Sequence, residues 1–373
     1  MTRFLHTADW QIGRQFGQLP ADDAVALAEA RFAVIERIAA LAAAQGVDAV
    51  LVAGDVFDAQ TISDRTIRRT FNAMEAFDGP WIFIPGNHDA ALAECVWSRA
   101  KRLSAVPSNA HLALEPGILD FASLGFAVLV APLTQRHTHV DLTDWFVDAQ
   151  TAPGLLRIGL AHGSVQGVLA DEIDSANPIA AGRAEQASLD YLALGDWHGT
   201  KQIDSRTWYS GTPEQERFKD NGAGHVLLVT IDGPGAIPQV TTHAVGQYAW
   251  HGLTVHLDVP SDAEGLIARL ASLSATDVIR LEVTGQTDLA ARERINAALS
   301  AAEGRTRCLD VDAAQLRLIP TDDDIAALNA DGYLGGVISD LRERQHGDAP
   351  EVASEALAIL ASMLNARQQG ATA

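Results

Sequence analysis

Five apolar runs along the chain end in polar clusters. FLHTAD (4–9), AVLVAGDVFD (49–58), WIFIPGNHD (81–89), LRIGLAHG (156–163) and YLALGDWHG (191–199) each read as a short buried strand that gives way to carboxylate, amide or imidazole groups. After the first run, residues 22–45 are rich in alanine and place Ala28, Phe32, Ile35, Ala39 and Ala42 on one helical stripe that stops at Gly46. Strand, helix and strand follow through 49–53, 62–77 and 81–84, the alternation that gives parallel strands with right-handed crossovers. Further strands are expected at 126–131, 155–161, 189–194, 225–231 and 239–245. In α/β sheets, ligands gather beyond the carboxyl ends of the strands, so the polar clusters are expected at one rim.

Near 246–250 the pattern changes. Strand, helix, strand, helix and strand are expected at 253–259, 262–274, 278–283, 288–302 and 307–319. From 322 onward two helical stretches are broken around 346–350. The last sets Leu357, Leu360 and Leu364 beside Ile359 and Met363, an apolar face that either packs on its own domain or meets a partner. Three segments result: 1–245, 246–320 and 321–373.

Composition narrows the function. At 373 residues, with 47% hydrophobic positions, the chain supports more than one core. Its net charge of −21 argues against a broad basic surface of the kind that neutralises nucleic-acid phosphates. Cys95 and Cys308 lie far apart and in no C-x-x-C spacing, which suggests neither a disulfide framework nor a thiolate zinc site and fits a reducing cytoplasm. No signal-peptide pattern and no run of about eighteen apolar residues stands out, so no membrane segment is expected. P-loop, G-x-S-x-G and dinucleotide-loop motifs are missing, which removes support for NTPase, serine-hydrolase and dehydrogenase readings.

The polar residues closing the five runs are, in order, Asp9, Asp55 with Asp58, Asn87 with His88 and Asp89, His162, and Asp196 with His198. All are metal-ligand types. A lone GNHD is weak evidence, since Asn and Asp beside Gly commonly just make a turn. Five such segments in this order, each after a strand, resemble the calcineurin-like metallophosphoesterases. The opening HTADW and the later Tyr209-Ser210-Gly211-Thr212-Pro213-Glu214 resemble the SbcD-type DNA repair exonuclease subunits within them. The resemblance covers about residues 1–245. It implies an α/β fold, a two-sheet metallophosphoesterase sandwich flanked by helices, with a smaller α/β capping domain at 246–320 and a helical C-terminal segment at 321–373 as a docking region. It also implies partners: DNA and an SbcC-like coiled-coil ABC ATPase, with a homodimer left open.

Phosphodiester hydrolysis needs charge offset on the phosphoryl oxygens, an activated water and a stabilised leaving oxygen, which two divalent ions about 3.5–4 Å apart supply together. By motif position the resemblance makes Asp55 the bridging carboxylate. Asp9, Gln11 and His198 complete one metal site, and Asn87, His162 and Asp196 the other. His88 becomes the catalyst beside the metals, with Asp58 holding its ring. Alone, His88 reads as a loop histidine and Asp89 as the N-cap of a helix running towards Leu103. His6 and His111 read as ordinary strand residues, and Trp10 and Trp197 as buried against the sheet or walling the site.

Two positions depart from the family pattern. Gln11 stands where a histidine is usual, and Asp196 stands where the closing motif has another. Oxygen donors in both places bias the site towards Mn²⁺ or Mg²⁺ and away from softer ions. Three functions remain: a Mn²⁺-dependent nuclease subunit, a stand-alone phosphodiesterase or phosphatase on a small phosphoester, and a weakly active or inactive scaffold for an ATPase.

Overall fold

The computed structural model describes residues 1–168, 176–327, 332–347 and 349–371, which form two compact units, 1–249 and 250–373. In the first unit, β1 (Thr2–Thr7), α1 (Ala21–Gln45), β2 (Ala49–Ala53), α2 (Asp64–Asn72), β3 (Trp81–Ile84), α3 (Val96–Arg102) and β4 (Ala110–Leu112) come first. Then follow β5 (Gly117–Phe121), β6 (Phe126–Ala131), β7 (Leu156–His162), β8 (Ser164–Val165) and β9 (Pro178–Ile179). α4 (Arg183–Gln186), β10 (Tyr191–Gly195), β11 (Lys201–Gln202), β12 (Thr207–Tyr209), β13 (His225–Ile231) and β14 (Gln239–Ala244) complete it.

Two six-stranded sheets result, ordered β14-β13-β1-β2-β3-β4 and β11-β12-β10-β7-β6-β5, with β8 and β9 as a small parallel ribbon. β1, β2, β3 and β4 are parallel, as are β6, β7, β10 and β12. The central strands are apolar on both faces, which is why they read as unbroken runs. In β2, Val50 and Val52 face the core under the helices, while Ala49, Leu51 and Ala53 enter the core between the sheets. β3 divides likewise, Trp81 and Phe83 against Ile82 and Ile84. The architecture is the two-sheet sandwich flanked by helices.

α1 ends where expected, at Gly46 in the left-handed region (φ 57°), and Ile35, Ala39 and Ala42 of the expected stripe are buried. Ala28 and Phe32 are half-buried, Phe32 packing on the core, and the buried face also takes in Leu27, Arg31, Val34 and Ile38, the Arg31 guanidinium reaching a buried carboxylate, Glu216. α2 is shorter than the 62–77 stretch that the pattern suggests.

In the second unit, β15 (Ala249–Leu257), α5 (Pro260–Ala271), β16 (Asp277–Thr287), α6 (Leu289–Glu303) and β17 (Cys308–Leu318) follow the expected order, in a sheet β15-β16-β17. α5 and α6 cover it with Leu266, Leu270 and Ile295 against Leu253, Ile279 and Leu281. α7 (Asp322–Ala327), α8 (Tyr333–Arg344) and α9 (Pro350–Ala371) follow. Here the stripe Leu357, Leu360 and Leu364 is not a free face. Leu357 is buried with Ile325 and Ile338, and Leu360 and Leu364 pack on that cluster. The exposed large hydrophobic residues of α9, among those described, are Val352, Ile359 and Met363. Among the described residues, no helix is long and apolar enough to cross a membrane.

Candidate metal centre

The loops after β1 and β2 are laced together. The N–H groups of Asp9, Gln11 and Ile12 donate to the carbonyls of Gly54 (3.0 Å), Asp55 (3.0 Å) and Val56 (2.8 Å), and Asp58 N–H returns to Ile12 O (3.0 Å). This ladder holds Asp9, Gln11 and Asp55 in the left-handed region, at φ 54°, 51° and 53°. Asp196, after β10, has φ 99°. Such conformations cost non-glycine residues on the order of 1–3 kcal/mol each and persist only where the surroundings impose them. Two glycines permit the crowding: a Cβ on Gly54 would lie 2.3 Å from His162 Nδ1, and one on Gly86 would lie 2.2 Å from Asp55 Oδ1.

Asp9, Asp55 and His162 bring donor atoms within 4.8 Å of one another. His162 Nδ1–H donates to Ala53 O (2.8 Å), which fixes the tautomer and turns Nε2 to the centre. Nε2 lies 2.9 Å from Asn87 Oδ1 and 3.7 Å from both Asp55 Oδ1 and Asp196 Oδ1. Asp196 N–H donates to the Asp9 carboxylate, at 3.1 and 3.3 Å from its two oxygens. Gln11 Nε2 donates to Asp55 Oδ2 (2.8 Å), and its Oε1 is buried with no hydrogen-bond partner among the described residues. The structure thus gathers Asp9, Gln11, Asp55, Asn87, His162 and Asp196. His198 borders this group, its charge acting on Asp9 and its Nδ1 held 2.6 Å from Glu216 Oε1.

His88 N–H donates to Asp55 Oδ1 (2.9 Å), and its Nε2 lies 3.9 Å from Asp55 Oδ2. Asp58 holds the ring through its main chain: Nδ1–H donates to Asp58 O at 2.8 Å, with the carboxylate 4.0 Å away. That carboxylate faces Arg14 instead, at 3.5 Å. Beside His88 is a cavity of about 280 Å³ lined by Asp58, Asn87, Leu92 and Arg136.

Buried carboxylates outside the expected ligand set support these loops. Glu216, buried in the loop after the closing motif, pairs with Arg31 (2.8 Å), Arg14 (3.1 Å) and His198. Glu214 accepts from Arg37 and from the N–H groups of Gln247 and Tyr248. Asp89 is not a helix cap: α3 begins at Val96 behind Cys95, and the Asp89 carboxylate accepts from Gly86 N–H (2.7 Å) and Phe57 N–H (3.1 Å), tying the GNHD turn to the Asp55 loop. Trp10 is fully buried under the helices, whereas Trp197 is half-buried.

The electrostatics follow from crowding buried carboxylates. Burial pushes Asp9 up, to about 6, although His198 and His162 oppose this. Burial likewise raises Asp196. For His162 burial acts downward, but Asp55, Asp196 and Asp9 outweigh it and hold the ring at about 9. His198 is raised, its own burial being outweighed by the bond to Glu216 and by Asp9. Concentrated hard oxygen donors, an imidazole anchored at Nδ1 and an unused buried amide oxygen make a set that fits a divalent cation.

The comparisons agree with this geometry. The chain is similar to the SbcD component of the nuclease SbcCD of Bacillus subtilis (strain 168), 25% identical over 268 residues that cover 61% of this chain and 65% of that protein. It is also similar to the SbcD component of the nuclease SbcCD of Rhodobacter capsulatus, 28% identical over 288 residues that cover 64% of this chain and 68% of that protein. The uncharacterized metallophosphoesterase YhaO of Bacillus subtilis is 24% identical over 245 residues, 62% of this chain and 58% of that protein. The chain therefore spans about two thirds or less of these relatives' length. A family model described as calcineurin-like phosphoesterase matches residues 2–230, and the chain belongs to that family of metal-dependent phosphoester hydrolases.

Proposed function

We propose that the chain is a metal-dependent DNA nuclease, the nuclease subunit of an SbcCD-like repair assembly, acting in the cytoplasm with two divalent ions, Mn²⁺ first and Mg²⁺ second. The observation that carries the reading is the convergence of Asp9, Asp55 and His162 with the orphaned Gln11 Oε1 at the strand ends. Asp9, Gln11 and His198 would hold one ion, and Asn87, His162 and Asp196 the other, with Asp55 between them. When bound, the ions would offset phosphoryl charge and supply an activated water. Asp55 is already oriented from both sides, by His88 N–H and by Gln11 Nε2. His88, anchored by its Nδ1–H, would present Nε2 to the phosphoryl group and protonate the leaving oxygen.

In this reading 246–320 caps the site and an SbcC-like ATPase is the partner, reached through 321–373. The internal position of Leu357, Leu360 and Leu364 moves any docking face to Ile359 and Met363. A second reading, a stand-alone phosphodiesterase on a small phosphoester, is favoured by the cavity of about 280 Å³ beside His88 and by the charge of −21. A Mn²⁺-supplemented panel of single-stranded DNA, double-stranded DNA, bis-p-nitrophenyl phosphate and p-nitrophenyl phosphate separates them. Cleavage of DNA is expected. Diester cleavage without DNA cleavage selects the second reading, and inactivity on all four selects the scaffold.

A further inference from the structure

The chain has three lysines, Lys101, Lys201 and Lys219. Two of them converge on one side chain. The Nζ atoms of Lys201 and Lys219 lie 5.4 and 4.7 Å from the centre of the Trp197 ring, and Trp197 sits between Asp196 and His198. Trp197 is half-buried and packs against the apolar cluster beneath the second sheet. The ring is thus fixed from below while it holds two ammonium groups by its quadrupole.

These cations differ from the arginines nearby. Arg14, Arg31 and Arg217 all pair with Glu216, and Arg183 pairs with Asp141 and Asp144. Among the described residues neither Lys201 nor Lys219 forms an ion pair with a carboxylate. Lys201 donates to the carbonyl of Val168 (3.3 Å). Successive phosphates of one strand passing the ring meet one cation each, because both ammonium groups lie within 5.4 Å of the same ring centre. The ring has restricted them beforehand, which lowers the ordering cost of binding an anion.

We propose that Trp197, Lys201 and Lys219 form a phosphate clamp for the nucleic-acid strand, engaging the backbone next to the scissile phosphate. The proposal rests on the nuclease reading and deepens it: a chain with a net charge of −21 grips its polyanionic substrate with a local pair of ammonium groups on the segment that carries Asp196 and His198. Trp197 is a positioning residue, and the lysines make the contact.

The test uses the full chain and a fluorescent single-stranded oligonucleotide, with anisotropy for affinity and bis-p-nitrophenyl phosphate, which has no flanking phosphates, as the reference substrate. For the double variant Lys201→Gln/Lys219→Gln, the plot of log affinity against log salt should become shallower by about 1.4, at about 0.7 for each phosphate contact on a single strand. KM for the oligonucleotide should rise at least about tenfold with kcat little changed, and Lys201→Arg/Lys219→Arg should restore most of it. Trp197→Leu should reproduce part of the loss and Trp197→Phe less of it. Lys101→Gln, which removes the same charge elsewhere, should leave the slope as it is. An unchanged slope in the double variant overturns the clamp and leaves the nuclease reading standing. So does a loss on the small diester equal to that on the oligonucleotide, which would make the lysines supports for the metal loops. If the unaltered protein hydrolyses the small diester yet neither binds nor cleaves the oligonucleotide, the nuclease reading falls and takes the clamp with it.

Discussion

Gln11 shows how one amide can serve a metal centre in two ways. Its Nε2 pins Asp55 Oδ2 while its Oε1 stays buried and unpartnered, a cost on the order of 1–3 kcal/mol for a neutral group, unless a cation takes it up. Gln11→Leu should therefore weaken Mn²⁺ binding on the order of tenfold, and Gln11→His should tighten it and admit softer ions. Calorimetric titration reads both, and unchanged affinity in the two variants would place residue 11 outside the coordination shell. His88 is tied to its surroundings through N–H and Nδ1, so its Nε2 is free to act on substrate. His88→Ala should lower kcat on bis-p-nitrophenyl phosphate by roughly 10²–10⁴ while metal content by mass spectrometry stays near that of the unaltered protein. Depletion of metal would make the ring structural. The candidate residues after each strand were legible because each follows an apolar run. Glu216 was not: it lies in a polar loop, and only the buried Arg31 on α1 shows why a carboxylate is needed there.

At the scale of elements, legibility depended on whether a pattern faced one environment or two. Strands β1, β2 and β3 are apolar on both faces and were unmistakable, while β4, β5 and the β8–β9 ribbon are short or half-exposed and left no run to read. The expected stripe of α1 holds at Ile35, Ala39 and Ala42, and the buried face is wider than that stripe because it takes in Arg31, which periodicity counts as polar. His6 looked like an ordinary strand residue of β1, yet it joins the two sheets. Its Nε2–H donates to Leu194 O (3.1 Å) and Tyr191 O–H donates to its Nδ1 (3.0 Å), a neutral ring with both nitrogens satisfied. Burial drives its pKa down to about 3 from 6.5, against the pull of the Leu194 carbonyl. Below pH 6.5 the unfolded chain takes up a proton that the folded chain refuses, so this contribution to stability is whole above 6.5 and is lost as the pH falls towards 3. At about pH 5 the loss is about 2 kcal/mol. Urea unfolding of the unaltered protein and His6→Gln at about pH 7.5 and about pH 5 should show the advantage of His6 shrinking by that amount. An advantage independent of pH would mean the ring accepts its second proton in place.

For the molecule as a whole, the division of labour follows the two cores. Every candidate ligand and each carboxylate that supports one lies within 1–249, whereas α9 belongs to the second unit through Leu357. Removing residues beyond 345 should therefore destabilise the second unit and spare the metal site. The boundary itself is set by a single buried group. Glu214 is 2% exposed, and the N–H groups of Gln247 and Tyr248 supply two of its donors at 2.8 and 2.9 Å. A fragment ending at 245 strips both donors from a buried carboxylate, and burial already raises its pKa against those bonds. A fragment ending at 249 keeps them. The longer fragment should bind Mn²⁺ and hydrolyse bis-p-nitrophenyl phosphate, and the shorter should be less stable by about 1–3 kcal/mol, the usual penalty for leaving a buried acceptor unsatisfied. Chemical denaturation of the two fragments side by side measures the gap. Equal stability would show that water replaces the two donors, and failure of both fragments to fold would show that the first unit depends on residues beyond 249.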